Sequence, residues 1–178
     1  MRYLFFLLLT SFSQFTFADT LPYSSDVLFE AKLKAKEENK NILLMFTASW
    51  CIWCKKMDKS IQDPACKKFF DENYVVIHLN VQETDEKLEH PGSMEFLKLY
   101  HGEASGIPFW VVLDSELNLL ADSYMRKNGE SKNEPGENLG CPASEEEVNA
   151  FISILKETAK HQMQDIPAIE KRFRSNKN

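Results

Sequence analysis

The sequence predicts an α/β fold, a mixed central sheet with helices on both faces. Three observations carry that reading. Two short, continuous apolar runs, "NILLMFT" at 41–47 and "YVVIHLNV" at 74–81, have the composition of strands buried on both faces of a sheet. Helical patterns precede the first run and fill the interval between the two. Two further strand-like runs, "PFWVVLD" and "LNLLADS", are separated only by Ser115-Glu116, which is hairpin spacing. A β-α-β unit thus feeds an antiparallel pair.

The chain opens on a segment of a different kind. Arg2 supplies positive charge, "YLFFLLLT" is an apolar run, and Thr16 and Ala18 are small residues placed before a cut. This is the layout of a secretory signal peptide, residues 1–18, cleaved after Ala18. The apolar run is well short of the ~20 residues that cross a bilayer, so no stable membrane insertion is expected after cleavage. No cysteine precedes Cys51, so nothing near the cut could carry a lipid anchor.

From Asp26 to Asn39, Val27, Leu28, Ala31 and Ala35 recur at near-helical spacing, with Ser24, Ser25 and Asp26 as candidate caps. The first strand follows, then a helix on which Trp53, Met57 and Ile61 share one face. Asp63-Pro64 interrupts it, and Pro64 suits the first turn of its continuation, "ACKKFFDEN". After the second strand, "SMEFLKLYH" reads as a short helix and 102–106 as a loop. Beyond the hairpin, residues 125–140 are polar and rich in Gly, Asn and Pro, hence a loop. Ser144 with Glu147 makes a capping box for a last helix, whose buried stripe is Val148, Phe151, Ile152 and Leu155. The basic tail, 171–178, reads as solvated and frayed. No internal repeat or second domain is visible, so residues 19–178 are expected to form one domain with its core at about 26–160.

With 43% hydrophobic and 27% charged residues among 178, the chain can bury one sizeable core. Loss of the leader would remove Arg2 and no acid, taking the formal charge from −6 to −7. That balance argues against a nucleic-acid partner. Export would place four cysteines where disulfides persist, yet four are too few to staple a mini-protein of this length. The cysteines are better read as chemistry than as scaffold.

Two of them lie in "ASWCIWCKKM", residues 48–57. A c-type haem anchor needs histidine after the second cysteine, and Lys55 stands there. A structural zinc site needs four ligands from paired elements, and Cys66 and Cys141 each stand alone. Two core thiols are the bland alternative. Position favours a redox couple instead. Cys51 falls where a buried strand gives way to a helix, and the unpaired N–H groups and dipole of a helix start stabilise a thiolate. Cys54 lies one turn on, close enough to close a small disulfide ring. Depressed acidity plus a neighbouring resolving thiol is what thiol–disulfide exchange requires.

"FTASWCIWCKKM" after an apolar strand, with "SGIPFWVVLD" about fifty residues later, resembles the thioredoxin superfamily from about Asp26 to Lys160. The subgroup it is most similar to is the exported proteins with a Trp-Cys-x-x-Cys-Lys motif, including the C-terminal domain of DsbD-type reductases. The resemblance implies a thioredoxin fold, with Cys51 as the more exposed nucleophile and Cys54 as the buried resolving thiol. It implies a cis bond before Pro108, and an Ile107 backbone left free to pair with an extended substrate. Trp50 would flank the site as an apolar contact surface. Trp53 either touches substrate or begins the buried stripe. The buried acid that thioredoxins carry before the motif is replaced here by Met45. His78 stands where the family often has a buried lysine, and could handle the proton of Cys54 or be a core histidine. Ile52-Trp53 matches neither thioredoxins nor strong oxidants, whose potentials span about −270 to −120 mV. The missing histidine between the cysteines favours reductase or isomerase over oxidase.

Cys66 reads as a buried thiol and Cys141 as an exposed or accessory one, a disulfide between them being the lesser option. No cofactor or metal is implied. The expected function is a periplasmic or secreted thiol–disulfide oxidoreductase acting on exported proteins with cysteines, resupplied by a membrane-bound electron donor. The alternatives are a binding module of the same fold, using the 125–140 loop with the cysteines as a stable disulfide, and an exported peroxide- or metal-handling protein.

Overall fold

The computed structural model describes residues 21–126, 134–161 and 165–177. The leader, residues 127–133 of the polar loop and Asn178 of the tail lie outside them. Along the chain run α1 (Ser24–Glu37), β1 (Asn41–Thr47), α2 (Ile52–Ile61), α3 (Lys67–Asn73), β2 (Tyr74–Asn80), α4 (Ser93–Leu99), β3 (Phe109–Leu113) and β4 (Leu119–Asp122). After these come β5 (Tyr124–Met125), β6 (Glu137–Asn138), α5 (Glu145–Thr158) and α6 (Ile166–Arg174). Single 3-10 turns occupy Glu86–Leu88 and Ser175–Lys177.

The main sheet has the order β2-β1-β3-β4. β1 is parallel to β2 and antiparallel to β3, and β3 pairs antiparallel with β4. This is the mixed sheet the sequence predicts. Alternation along the two central strands builds two cores. Leu43 and Met45 of β1, with Trp110 and Val112 of β3, face α2, α3, α5 and α6. Ile42, Leu44 and Phe46, with Phe109, Val111 and Leu113, face α1 and α4. Every residue of β1 and β3 is buried, which is why both runs are continuously apolar.

Several boundaries differ from expectation. α1 begins at Ser24, and its N-cap is Tyr23, with no side-chain cap bond, so the Ser24–Asp26 caps are not formed. The helix ends through Asn39, whose φ of 51° lets Lys40 N–H reach back to the Ala35 carbonyl. Pro64 is not in a helical first turn: residues 62–66 form a turn, and Cys66 is the N-cap of α3. Asp63 takes over there, its carboxylate accepting from Ala65 N–H at 3.0 Å and its carbonyl from Cys66 N–H at 2.8 Å. At α5 the capping box forms as expected, with Glu147 Oε2 accepting from Ser144 N–H at 2.8 Å and Ser144 Oγ from Glu147 N–H at 3.2 Å.

Two segments read as irregular carry regular elements among their described residues. The 125–140 stretch contains β6, which pairs with β5. The tail is not frayed. α6 buries Ile166, Ile169 and Phe173, and Phe173 packs against Phe151 with ring centroids 4.8 Å apart. Lys171 and Arg172 lie between these apolar positions and Arg174 follows them, so charge masked an amphipathic helix.

Candidate functional site

α2 starts where β1 leaves the sheet, and Cys51 is its N-cap. Cys51 and Cys54 are joined as a disulfide, Cα atoms 5.3 Å apart, and Cys54 N–H donates to Cys51 Sγ at 3.0 Å. That bond occupies one of the four N–H groups a helix start leaves without an internal acceptor. The first turn carries no acid, and Lys55 and Lys56 follow the pair, so the field at Cys51 favours a negative sulfur.

Both sulfurs are shielded: Cys51 is 4% and Cys54 2% exposed. In the oxidised form Cys51 is only marginally the more exposed of the two. Its cover is the segment before β3, where the Ile107 carbonyl oxygen lies 3.6 Å from Cys51 Sγ and the Ile107–Pro108 bond is cis. Ala48 and Ile107 complete the small apolar cluster around the pair.

The three large apolar residues that flank the two cysteines in sequence are exposed. Trp50 is 52%, Ile52 70% and Trp53 46% exposed. Trp53 therefore does not begin the buried stripe of α2, which is Cys54, Met57 and Ile61. Lys56 Nζ sits 4.4 Å above the Trp53 ring. Trp50 is oriented by its indole N–H, which donates to the Gln82 carbonyl at 2.9 Å. Beside it Glu83 accepts from Ser49 N–H and Ser49 Oγ, both at 2.6 Å, so the loop after β2 holds the turn before Cys51.

Met45 is fully buried and stands level with His78 on one side and Trp110 on the other. His78 is neither buried nor unpartnered. Its Nε2 lies 2.7 Å from Asp58 Oδ1, and Asp58 is one helical turn beyond Cys54. Nearby, His90 Nδ1 accepts from Asn80 N–H at 2.9 Å, and burial first, then the charge of His78, holds the His90 imidazole below its ordinary pKa.

Cys66 and Cys141 are free and buried. The accessory role expected for Cys141 is overturned by Asn176, whose side-chain N–H approaches Cys141 Sγ at 3.4 Å and donates to the Pro142 carbonyl at 3.2 Å. Asn176 Oδ1 accepts from Ser60 and Arg172, and its carbonyl from Lys56 Nζ at 3.1 Å. The C-terminal turn is thereby bolted to α2. Among the described residues no group of three or more His, Cys, Asp or Glu is placed to hold a metal, and no helix is long and apolar enough to cross a membrane.

A cysteine pair at a helix start, facing a cis-proline segment on a mixed sheet, agrees with the comparison to known families, in which the Thioredoxin-like model matches residues 25–115. The chain belongs to the thioredoxin-like family. Its sheet and flanking helices are a thioredoxin fold, and Cys51 and Cys54 are its Cys-x-x-Cys motif. Among solved structures it is similar to a disulphide isomerase from Xylella fastidiosa Temecula1, at 22% identity and a TM-score of 0.49 over 90% of this chain and 100% of that one. DsbH oxidoreductase shares 22% identity at a TM-score of 0.46, covering 88% and 95%. The oxidised C-terminal domain of DsbD from Neisseria meningitidis shares 23% at 0.43, covering 58% and 84%. No curated protein matches.

Sequence reasoning missed Glu83, Asn138 and Asn176. Each reaches its partner across 30 or more residues, as in Ser49–Glu83, so no local pattern marks it.

Proposed function

We propose that this chain is an exported thiol–disulfide oxidoreductase that reduces or isomerises disulfides of other exported proteins through Cys51 and Cys54. The observation that carries the reading is the disulfide at the N-terminus of α2, beside the Ile107 carbonyl and flanked in sequence by the exposed Trp50, Ile52 and Trp53. In the reduced state the Cys51 thiolate attacks one sulfur of a client disulfide. A Cys51–client S–S bond forms, and the other client sulfur leaves as a thiolate that takes up a proton. Cys54, having lost its proton, attacks Cys51 Sγ, forms the Cys51–Cys54 disulfide and expels the second client thiolate. Two electrons pass from the pair to the client. An external dithiol resets the pair by the same two steps, and outside the cytosol a membrane-bound donor would supply it. Trp50 and Trp53 offer apolar contact to the client, the Ile107 and Pro108 backbone offers a short pairing edge, and His78 serves as a proton-handling group.

The test is catalysis of insulin reduction by dithiothreitol. Wild-type protein should accelerate precipitation of the insulin B chain, and Cys51→Ser should leave only the uncatalysed rate. Both sulfurs lie nearly buried in the oxidised form, which favours a second reading, a binding module with a permanent disulfide. On that reading wild type and Cys51→Ser give the same rate, and the disulfide survives the reductant.

A further inference from the structure

The segment beside the disulfide presents three consecutive carbonyls. The outer two, of Gly106 and Pro108, both accept from the same side-chain nitrogen, Asn138 Nδ2, at 2.8 and 3.2 Å. The middle one, of Ile107, lies against Cys51 Sγ at 3.6 Å. Asn138 Oδ1 in turn accepts from Ser123 Oγ at 2.8 Å and Gly140 N–H at 3.0 Å. Both donors and both acceptor positions of the amide are therefore used. A flipped amide would set oxygen against two carbonyls and NH2 against an N–H, so the orientation is fixed by its partners.

The element that carries Asn138 is itself anchored. Leu139 N–H donates to the Ser123 carbonyl at 2.7 Å, and Trp110 Nε1 donates to the Gly140 carbonyl at 2.9 Å. Gly140 has a φ of +52°, the left-handed turn by which the chain leaves β6. Among the described residues the Ile107 N–H has no hydrogen-bond partner. One amide thus grips the backbone on either side of Ile107 and leaves Ile107 with its carbonyl at the reactive sulfur and its N–H unpaired.

We propose that Asn138 is a positioning residue for polypeptide substrates: it fixes the Gly106–Pro108 backbone so that Ile107 can pair with the extended chain around a client disulfide. The proposal rests on the redox reading above, and it gives the β5–β6 segment a task at the site. A client that lacks a peptide backbone cannot use this edge, which separates positioning from general upkeep of the fold.

The experiment compares wild type, Asn138→Ala and Asn138→Asp on two substrates, insulin and bis(2-hydroxyethyl) disulfide. Asn138→Asp keeps the volume and the acceptor bonds to Ser123 and Gly140 but loses both donor bonds to the gripped carbonyls. With both donor bonds to the gripped carbonyls lost, KM for insulin should rise about tenfold in both variants. In Asn138→Ala, which adds no charge beside Cys51, turnover of the small disulfide and the Cys51/Cys54 reduction potential should stay as in wild type. An equal loss on both substrates, or variants melted at the assay temperature, would make Asn138 merely structural and overturn the proposal. Folded variants with unchanged insulin KM would overturn it too, with the redox reading intact. A wild type inactive on both substrates sinks the redox reading first, and this inference with it.

Discussion

Cys51 and Cys54 are chemically identical side chains set in different surroundings. Cys51 caps α2 and meets its free N–H groups, whereas Cys54 lies in the buried stripe with Met57 and Ile61. On the proposed mechanism that asymmetry assigns attack to Cys51 and resolution to Cys54. Cys54→Ala should then accumulate a mixed disulfide with clients, visible as a higher band on a non-reducing gel and removed by dithiothreitol. If the same band forms with Cys51→Ser, the assignment is wrong. Resolution also needs a base, and the buried position where thioredoxins carry an acid holds Met45. Asp58 and His78 form a hydrogen-bonded titratable pair, Asp58 one turn from Cys54 along α2 and His78 level with Met45 across the sheet. His78→Leu should lower exchange and change its pH dependence. An unchanged profile removes His78 from the mechanism and leaves solvent as the base.

At the scale of elements, the motif helix is held from two directions: the loop after β2 grips residues 49 and 50, and the C-terminal turn grips Lys56 and Ser60. Asn176 is the hub of the second grip, accepting at Oδ1 from Ser60 and Arg172 while its Nδ2 meets Cys141 and Pro142. Asn176→Ala takes this partner from the Cys141 sulfur and the Pro142 carbonyl, while Ser60 keeps the Lys56 carbonyl and Arg172 keeps Asp63; it should destabilise the fold by about 1–3 kcal/mol, read as a lower urea midpoint at constant m-value. A midpoint unmoved within error would mean that water replaces the amide at no cost. The strands and α5 could be read in the sequence because their signals are local: continuous apolar runs for β1 and β3, and two side chains three residues apart for the capping box. Cys51, Cys54 and the cis bond before Pro108 were legible through spacing and family resemblance. Asn138 and Asn176 were not, because each amide is defined by four partners that only the folded chain brings together. α6 was hidden for another reason: its apolar positions, Ile166, Ile169 and Phe173, are too few to stand out against the basic residues between them.

For the molecule as a whole, the free thiols report on the core. Cys66 and Cys141 belong to the cluster beneath α2, α5 and α6, together with Tyr74. Burial, more than any neighbouring charge, pushes the Cys66 thiol from an ordinary 9.0 up to about 11 and the Cys141 thiol up to about 12. Burial likewise takes the Tyr74 phenol from 10.0 to about 12, against a hydrogen bond with Thr158 that favours ionisation. For each group the fold keeps the proton after the unfolded chain has released it. Stability is then fully present below pH 9.0, where both states are protonated, and falls as pH rises toward 11 to 12, because the unfolded state binds fewer protons. Urea unfolding of the oxidised protein under anaerobic conditions should show level midpoints from about pH 7 to 8.5 and a steady decline above about pH 9. In a Cys66→Ala/Cys141→Ala variant the starting midpoint will be lower, because two buried sulfurs are deleted, but the decline above about pH 9 should be shallower than in wild type. Parallel declines in the two proteins would mean that the thiols ionise as readily in the fold as outside it, and that the sealed core described for this face of the sheet is open to hydroxide.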